Sequence, residues 1–429
     1  MSASTRYVAA LAVLASGVVA CSDETAKPAA QERPRGLWNE LRGTGDGTPD
    51  GMAELADLPY LRGKASVEGG SAVARYDLDL AQDGLNLVVS AHAPQASLLD
   101  MKGNVLHTWT ADFDQIWPGA LGFEVDELQE TYWRSAELLP NGGLLALFDD
   151  IGVVRLDANS KLLWAYKGRC HDDVAVAADG TVYVLARPLQ GTGGDEIAVL
   201  SHDGVEQARF PIAGCFDGTE LQSLVANGEA LQANSLEVIE APVAGTRPMW
   251  VAGQLLVSLP KTGVVAVLDP EERAVRWAIT GPWKQQHQPS IIAGGNLLVF
   301  DNFVQDGVSR AVEVDPGSGK IVWKYEGSAM APLWTAAFGG CQRLPNGNTL
   351  IVESEAGRAL EVTPSEGIVW EYFNPHLSGR RNDLVATLCE LQRLDRAAVA
   401  QALPDLGAQV PDAGIDMGAV ESLIEKNKK

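Results

Sequence analysis

Six times between Leu85 and Tyr372 the chain repeats one pattern. Short β-prone runs follow one another, with a tight turn after the first, a second turn after the third, and an aromatic residue closing the fourth. The copies occupy 85–109, 138–166, 174–210, 250–277, 290–325 and 343–372. Their first turns carry Asn-Gly, Asp-Gly or close variants, which tight hairpins favour because the turn needs positive φ. The closing aromatics are Trp109, Trp164, Phe210, Trp277, Trp323 and Trp370. One four-stranded sheet cannot cover both of its faces. Sheets packed radially bury each other, and a recurrent Trp fills the gap between neighbours. The pattern predicts an all-β fold: a six-bladed β-propeller of four-stranded antiparallel blades, with a short N-terminal arm and a small helical C-terminal tail. A seventh blade would need a degenerate unit within 112–137 or 216–249. Both stretches lack paired turn signals and read as loop insertions.

The flanks divide as follows. Residues 1–20 read as a lipoprotein signal peptide, with Arg6 as the positive start and Val8 to Val19 as an apolar run too short to span a bilayer. A small residue precedes Cys21, the expected lipidated first residue after cleavage. Residues 21–36 are polar and read as a flexible tether, and 37–74 as an arm with one or two short helices. The propeller is expected over 75–395, with 386–395 as a closing strand or edge. A helical tail follows over 396–429, with short helices at Arg396 to Leu403 and Ile415 to Ile424. The expected location is an exported lipoprotein, periplasmic or on the cell surface, with Ser22 beside the anchor pointing to the outer membrane.

The formal net charge is −23. It argues against nucleic acid and anionic membrane surfaces as partners, leaving the lipid anchor as the membrane attachment. It also means that an anionic substrate needs its own local positive field. Beyond Cys21, four cysteines remain. Export permits disulfides, and of three pairings Cys170–Cys215 and Cys341–Cys389 are nearest in sequence. No CxxC and no His/Cys spacing suits zinc, and no cofactor or metal is expected.

Six histidines concentrate the chemistry. His107, two residues before Trp109, reads as a packing or cross-strand residue, His202 as solvated in a turn, and His376 as a turn residue. His171 and His287 each precede the first strand of a repeat. In a propeller that strand lines the channel, so the two are expected to converge at one mouth. His171 is followed by Asp172 and Asp173, which would equally balance an ordinary loop histidine. His287 lies among Gln285, Gln286 and Gln288, which are uncharged and able to orient an imidazole. The strand candidate after it ends at Asp301-Asn302.

These segments resemble the bacterial arylsulfotransferases, carrier-independent enzymes that move a sulfuryl group between phenols. The resemblance runs from about Ala91 to Pro375. It rests on LLPNG at 138–142, HDDVAVAADGTVYVL at 171–185, ANSLEVI at 233–239 and LLVSLPKTGVVAVLD at 255–269. It continues in QHQPSIIAGGNLLVFDN at 286–302, SRAVEVDP at 309–316 and RLPNGNTLIVESEAGRALEVTP at 343–364. It implies a six-bladed propeller, a phenolic sulfate donor, a phenol acceptor and a covalent sulfohistidine. The position resembling the nucleophile is His287. A second family histidine opens a His-His-Asp run, here His171-Asp172-Asp173. A third stands in His-x-Asn-Ser, here Gln232-Ala233-Asn234-Ser235. A family arginine follows a strand end that here reads Ser258-Leu259-Pro260-Lys261, which leaves Lys261 as a stand-in if the turn shifts by one.

Two of the four positions match and two depart. Gln232 carries no charge, and Lys261 is a point charge rather than a fork. Losing one donor aimed at developing charge costs about 3 kcal/mol of transition-state stabilisation. Two readings stay open. One is a sulfotransferase with a remodelled site: His287 and His171 catalytic, and Gln232, Asn234 and Lys261 on the substrate. The other is a binding or scaffold propeller that keeps the fold without the chemistry. A quinone-cofactor propeller ranks below both, for want of a vicinal Cys pair or an acidic calcium site.

Overall fold

The computed structural model describes residues 72–190, 194–225, 231–303, 308–378 and 384–407. The signal peptide, Cys21, the tether, most of the arm and the second tail helix lie outside the described residues.

Six four-stranded antiparallel sheets follow one another around a channel. From the channel outward, blade 2 is Ser135–Leu138, Leu144–Phe148, Gly152–Leu156 and Leu162–Lys167. Blade 3 is Cys170–Val176, Val182–Ala186, Glu196–Leu200 and Glu206–Pro211. Blade 4 is Ser235–Val238, Leu255–Leu259, Val264–Asp269 and Ala274–Thr280. Blade 5 is His287–Ile291, Leu297–Asp301, Arg310–Asp315 and Lys320–Tyr325. Blade 6 is Gly340–Arg343, Thr349–Glu353, Arg358–Val362 and Ile368–Phe373, and Val73–Tyr76 adds a fifth strand at its outer edge.

The six blades agree with the six copies, but blade 1 corrects the reading of four strands in every copy. Its first copy supplies only Leu85–Ser90, Gln95–Leu99 and Val105–Thr110, and the inner strand is Leu388–Leu394 from the far end of the chain. The closing strand expected at 386–395 is thus the innermost one. In blade 4 the inner strand is Ser235–Val238, ahead of the copy read as starting at Trp250. The 250–254 stretch belongs to the turn, because the connection between the first two strands is long here. The expected loop insertions hold short helical turns, Phe113–Ile116, Glu127–Thr131 and Gln222–Val225, and they also take in residues of the inner strands Ser135–Leu138 and Ser235–Val238. The tail helix Arg396–Ala402 is N-capped by Asp395, and Val399 and Leu403 join the layer between blades 1 and 2.

The core is six apolar layers, one between each pair of neighbouring blades. The closing aromatics reach across them. The indole of Trp109 donates to the carbonyl of Gly142, Trp164 to His202, Trp323 to Pro364 and Trp370 to Met101, each in the next blade. Trp109 and Trp370 are buried, whereas Trp164 and Trp323 keep one side in solvent. The four cysteines are free thiols. This corrects the expected disulfides: Cys389, Cys170, Cys215 and Cys341 lie in four different interblade layers, where none can meet another. Burial pushes the Cys170, Cys341 and Cys389 thiols up to about 12, so they stay protonated and inert.

The inner strands enclose a channel of about 560 Å³, lined by Glu137, Asp173, Glu237, Glu240 and Glu390 and by no basic side chain among the described residues. All of these carboxylates except Glu240 are interblade staples. An inner strand has one unpaired edge, and its buried N–H groups need acceptors. Glu390 accepts from the backbone of Ala136, Glu137 from Val176, Asp173 from Leu236 and Glu237 from Ile291. Gln342 continues the ring by accepting from Arg393 N. Gln288 reaches Gly340, where a β-carbon would lie 1.8 Å from its Oε1.

Burial first, and mutual repulsion after it, raises Glu137 to about 8; burial raises Glu237 to about 8 and Asp173 to about 7. A carboxyl with a raised folded pKa holds its proton more tightly folded than unfolded. Its stabilisation is complete below the unfolded value and is lost as pH rises through the folded one. His171, also raised, acts in the same sense. The lowered histidines His92, His287 and His376 act oppositely, but only below about 6.5. The melting temperature is therefore expected to fall by about 5 °C between pH 6.5 and 8.5. Glu137→Gln should flatten part of that slope in calorimetric scans. A melting temperature that rises over this interval contradicts the assignment.

Candidate active site

His287 and His171 lie within the inner strands of blades 5 and 3 rather than just before them. A bulge explains the shift in each case. In blade 5, His287 pairs with Phe300 and Ser290 with Leu298, so one extra residue is inserted. In blade 3 the register slips between Cys170 and Val174. Bulges re-aim side chains and are common beside active sites. The backbone is strained at the same places: φ is +51° at Gln285, +40° at Gln288 and +56° at Asp172, all non-glycine.

The His287 ring is 7 % exposed. Its Nδ1 faces two acceptors, the Gln285 carbonyl at 3.0 Å and Asn302 Oδ1 at 2.7 Å. The orientation of Asn302 is fixed because its Nδ2 donates to the carbonyls of Thr335 and Phe338. Nδ1 therefore carries the proton, and Nε2 keeps its lone pair. Burial first, and the charge of Arg134 second, lowers the His287 pKa. The ring is neutral, with one nitrogen available as a nucleophile. Asn302→Leu should cost about a hundredfold in turnover by releasing the tautomer and the ring, with the fold retained. An unchanged kcat in that variant would show that the hydrogen bond does not set the tautomer.

His171 is fully buried and differently placed. Its Nδ1 lies 3.0 Å from Asp172 Oδ2, and its Nε2 3.5 Å from Asp195 Oδ1. Burial alone would lower its pKa, but the Asp172 hydrogen bond and the charges of Asp172 and Asp195 outweigh it and raise it. His171 thus sits between two carboxylates, its Nδ1 bonded to Asp172 and its Nε2 facing Asp195 without a hydrogen bond. Asp172 is held below the usual carboxylate range: its burial is outweighed by His171 and Arg134. Its Oδ1 accepts from Arg134 at 3.3 Å. Arg134 is 5 % exposed, and its guanidinium lies 4.4 Å from the centre of the Phe338 ring.

Asn234 acts on the backbone next to the nucleophile. Its Nδ2 donates to the Gln286 carbonyl at 2.9 Å, and Ser258 Oγ donates to the same oxygen at 3.2 Å. The structure thus brings His287, His171 and Asn234 to one mouth. Gln232 is exposed with φ +53°, and Lys261 is exposed in the turn after Leu259. None of the contacts around His287 involves either. Sequence reasoning passed over Arg134, Asp195 and Asn302. The available signal was positional, since Arg134, Asn234 and His287 occupy matching places where inner strands of blades 2, 4 and 5 begin. The remaining histidines are structural. His107 bonds the Ala158 carbonyl and packs edge-on against Trp109, and His202 is exposed. His376, expected in a turn, also stacks on His92 at 3.6 Å. Among the described residues no three His, Cys, Asp or Glu side chains converge as a metal site, and no helix is long and apolar enough to cross a membrane.

Residues 213–375 match the arylsulfotransferase (ASST) family model. The arylsulfotransferase match spans blades 4 to 6 and takes in His287, Asn302, Asn234 and Phe338, while Arg134 and His171 lie before it. It supports arylsulfotransferase-like function in general, with an aryl sulfate donor and a phenol acceptor. No curated protein matches the chain. Among solved structures, a protein of unknown function from Bacteroides caccae is 13% identical, with a TM-score of 0.47 over 71% of this chain and 97% of that one. Streptogramin B lyase is 10% identical, with a TM-score of 0.44 over 75% and 97% of the two chains. The WD40 β-propeller domain of Doa1 is 13% identical, with a TM-score of 0.42 over 72% and 88%.

Proposed function

We propose that this protein transfers a sulfuryl group from an aryl sulfate to a phenol through a sulfohistidine at His287. The observation that carries the reading is the neutral His287 ring, protonated at Nδ1 by its two acceptors and free at Nε2. In the first step Nε2 attacks sulfur. The N–S bond forms, the S–O bond to the ring breaks, and its electron pair leaves on the phenolate. In the second step the acceptor oxygen attacks the same sulfur. The O–S bond forms, the N–S pair returns to Nε2, and the phenolic proton passes to solvent. Splitting the transfer lets two phenols use one site in turn. The channel has no basic lining residue among those described to draw an anionic ester inward, so in this proposal the donor reacts at the mouth. In the same proposal the domain works outside the cytoplasm, tethered through a lipid on Cys21.

The test is nitrophenol release from 4-nitrophenyl sulfate with and without added phenol. Release that depends on phenol, with phenyl sulfate as co-product, is the expected result. A folded protein that releases nothing across a panel of phenol acceptors would overturn the proposal in favour of a binding propeller.

A further inference from the structure

Resting on that reading, we propose that Arg134 is the residue that grips the sulfuryl oxygens, a charge supplied from blade 2 in place of the departed positions at Gln232 and Lys261. The placement carries it. Arg134 belongs to blade 2, yet its guanidinium touches Asp172 of blade 3 and lies over Phe338 ahead of blade 6, so it spans the channel mouth. Phe338 couples it to the nucleophile: the ring carries Arg134, and the carbonyl accepts from Asn302, which fixes His287.

The chemistry agrees with the placement. A guanidinium has five donors, all in its plane. Stacking on Phe338 occupies a face and leaves the edge free, and the structure gives one edge donor to Asp172. The remaining donors suit the oxygens of a sulfuryl group, which a planar fork binds better than an ammonium does. Nothing else at the mouth serves. His171 is fully buried between Asp172 and Asp195, Lys261 is exposed in its turn, and the channel below has no basic lining residue among those described.

The test uses the soluble domain (residues 22–429) and two variants, Arg134→Gln and Arg134→Lys, with two readouts. Sodium sulfate is titrated while the His287 imidazole signals are followed by NMR, and 4-nitrophenyl sulfate turnover is measured across pH. Wild type should bind sulfate. Arg134→Gln should weaken it at least tenfold, lower kcat/KM by about 10²–10³-fold and move the acid limb of the pH profile upward. Arg134→Lys keeps the charge and loses the fork, and should fall between. It also preserves the test if the glutamine variant does not fold. Equal sulfate affinity and turnover in wild type and the variants would overturn the assignment while leaving the transferase reading intact. Failure of wild type to bind sulfate would also overturn it. Arg134-dependent sulfate binding without any turnover would uphold the anion site and sink the transferase reading instead.

Discussion

Arg393→Ala will destabilise the propeller by about 3–5 kcal/mol, because it leaves a buried carboxylate short of its cation. Arg393 lies on the closing strand of blade 1 and is 5 % exposed. Its Nε donates to Asn86 Oδ1 at 2.7 Å within blade 1, and its NH1 lies 3.0 Å from Glu361 Oε2 of blade 6. NH1 also donates to the Gln82 carbonyl, and the guanidinium stacks 4.9 Å from the Trp370 ring centre. One side chain thus locks the strand that closes the ring to the last blade formed. Glu361 is fully buried, and its other partners, Asn348 and the Gln82 backbone, are neutral. A contrast lies three residues on. Arg396 pairs with Asp83 at 2.8 Å, but the carboxylate side chain is 43% exposed, and Arg396→Ala should cost less than about 1 kcal/mol. Urea denaturation of the two variants checks both values. Equal effects would show that closure does not depend on the buried pair.

His287→Ala will reduce sulfuryl transfer by about 10⁴-fold or to background, since no other group in the site can accept the sulfur. His171 is not placed to take over, being fully buried with its Nδ1 bonded to Asp172 and its Nε2 facing Asp195. The pH profile adds a second signature. The nucleophile is the neutral ring, and its pKa is lowered. As pH falls below 6.5 the neutral fraction stays high, so the acid limb of kcat/KM lies below the usual imidazole range. His202→Ala, in an exposed turn, should leave the rate unchanged. A His287→Ala protein that keeps more than a tenth of wild-type turnover would place the chemistry elsewhere.

The fold was legible because its signals are local. Asn-Gly, Asp-Gly or similar turns and closing aromatics recur from blade to blade, and burying both faces of each sheet dictates a ring. What escaped is what joins distant segments. The inner strand of blade 1 comes from Leu388–Leu394, some three hundred residues from its partner Leu85–Ser90, and no turn signal links them. The carboxylate staples Glu390, Glu137, Asp173 and Glu237 looked like scattered acids, since each finds its donor in the next blade.

The site divides the same way. His287 and Asn234 were legible through their motifs. The residues that define their chemistry were not, because Asn302 is fifteen positions from His287 and Arg134 is three blades away. The disulfide expectation failed for a related reason: sequence proximity brought Cys170 toward Cys215 on paper, while an entire blade separates their layers.

The central claim is a covalent intermediate on His287, and intact-protein mass spectrometry tests it most directly. The domain is incubated with 4-nitrophenyl sulfate without acceptor, quenched at alkaline pH and weighed beside His287→Ala. The account predicts a gain of about one sulfuryl group in wild type, lost on adding phenol and never formed in the variant. A wild-type mass unchanged while nitrophenol is released, or an adduct that persists in His287→Ala, would contradict it.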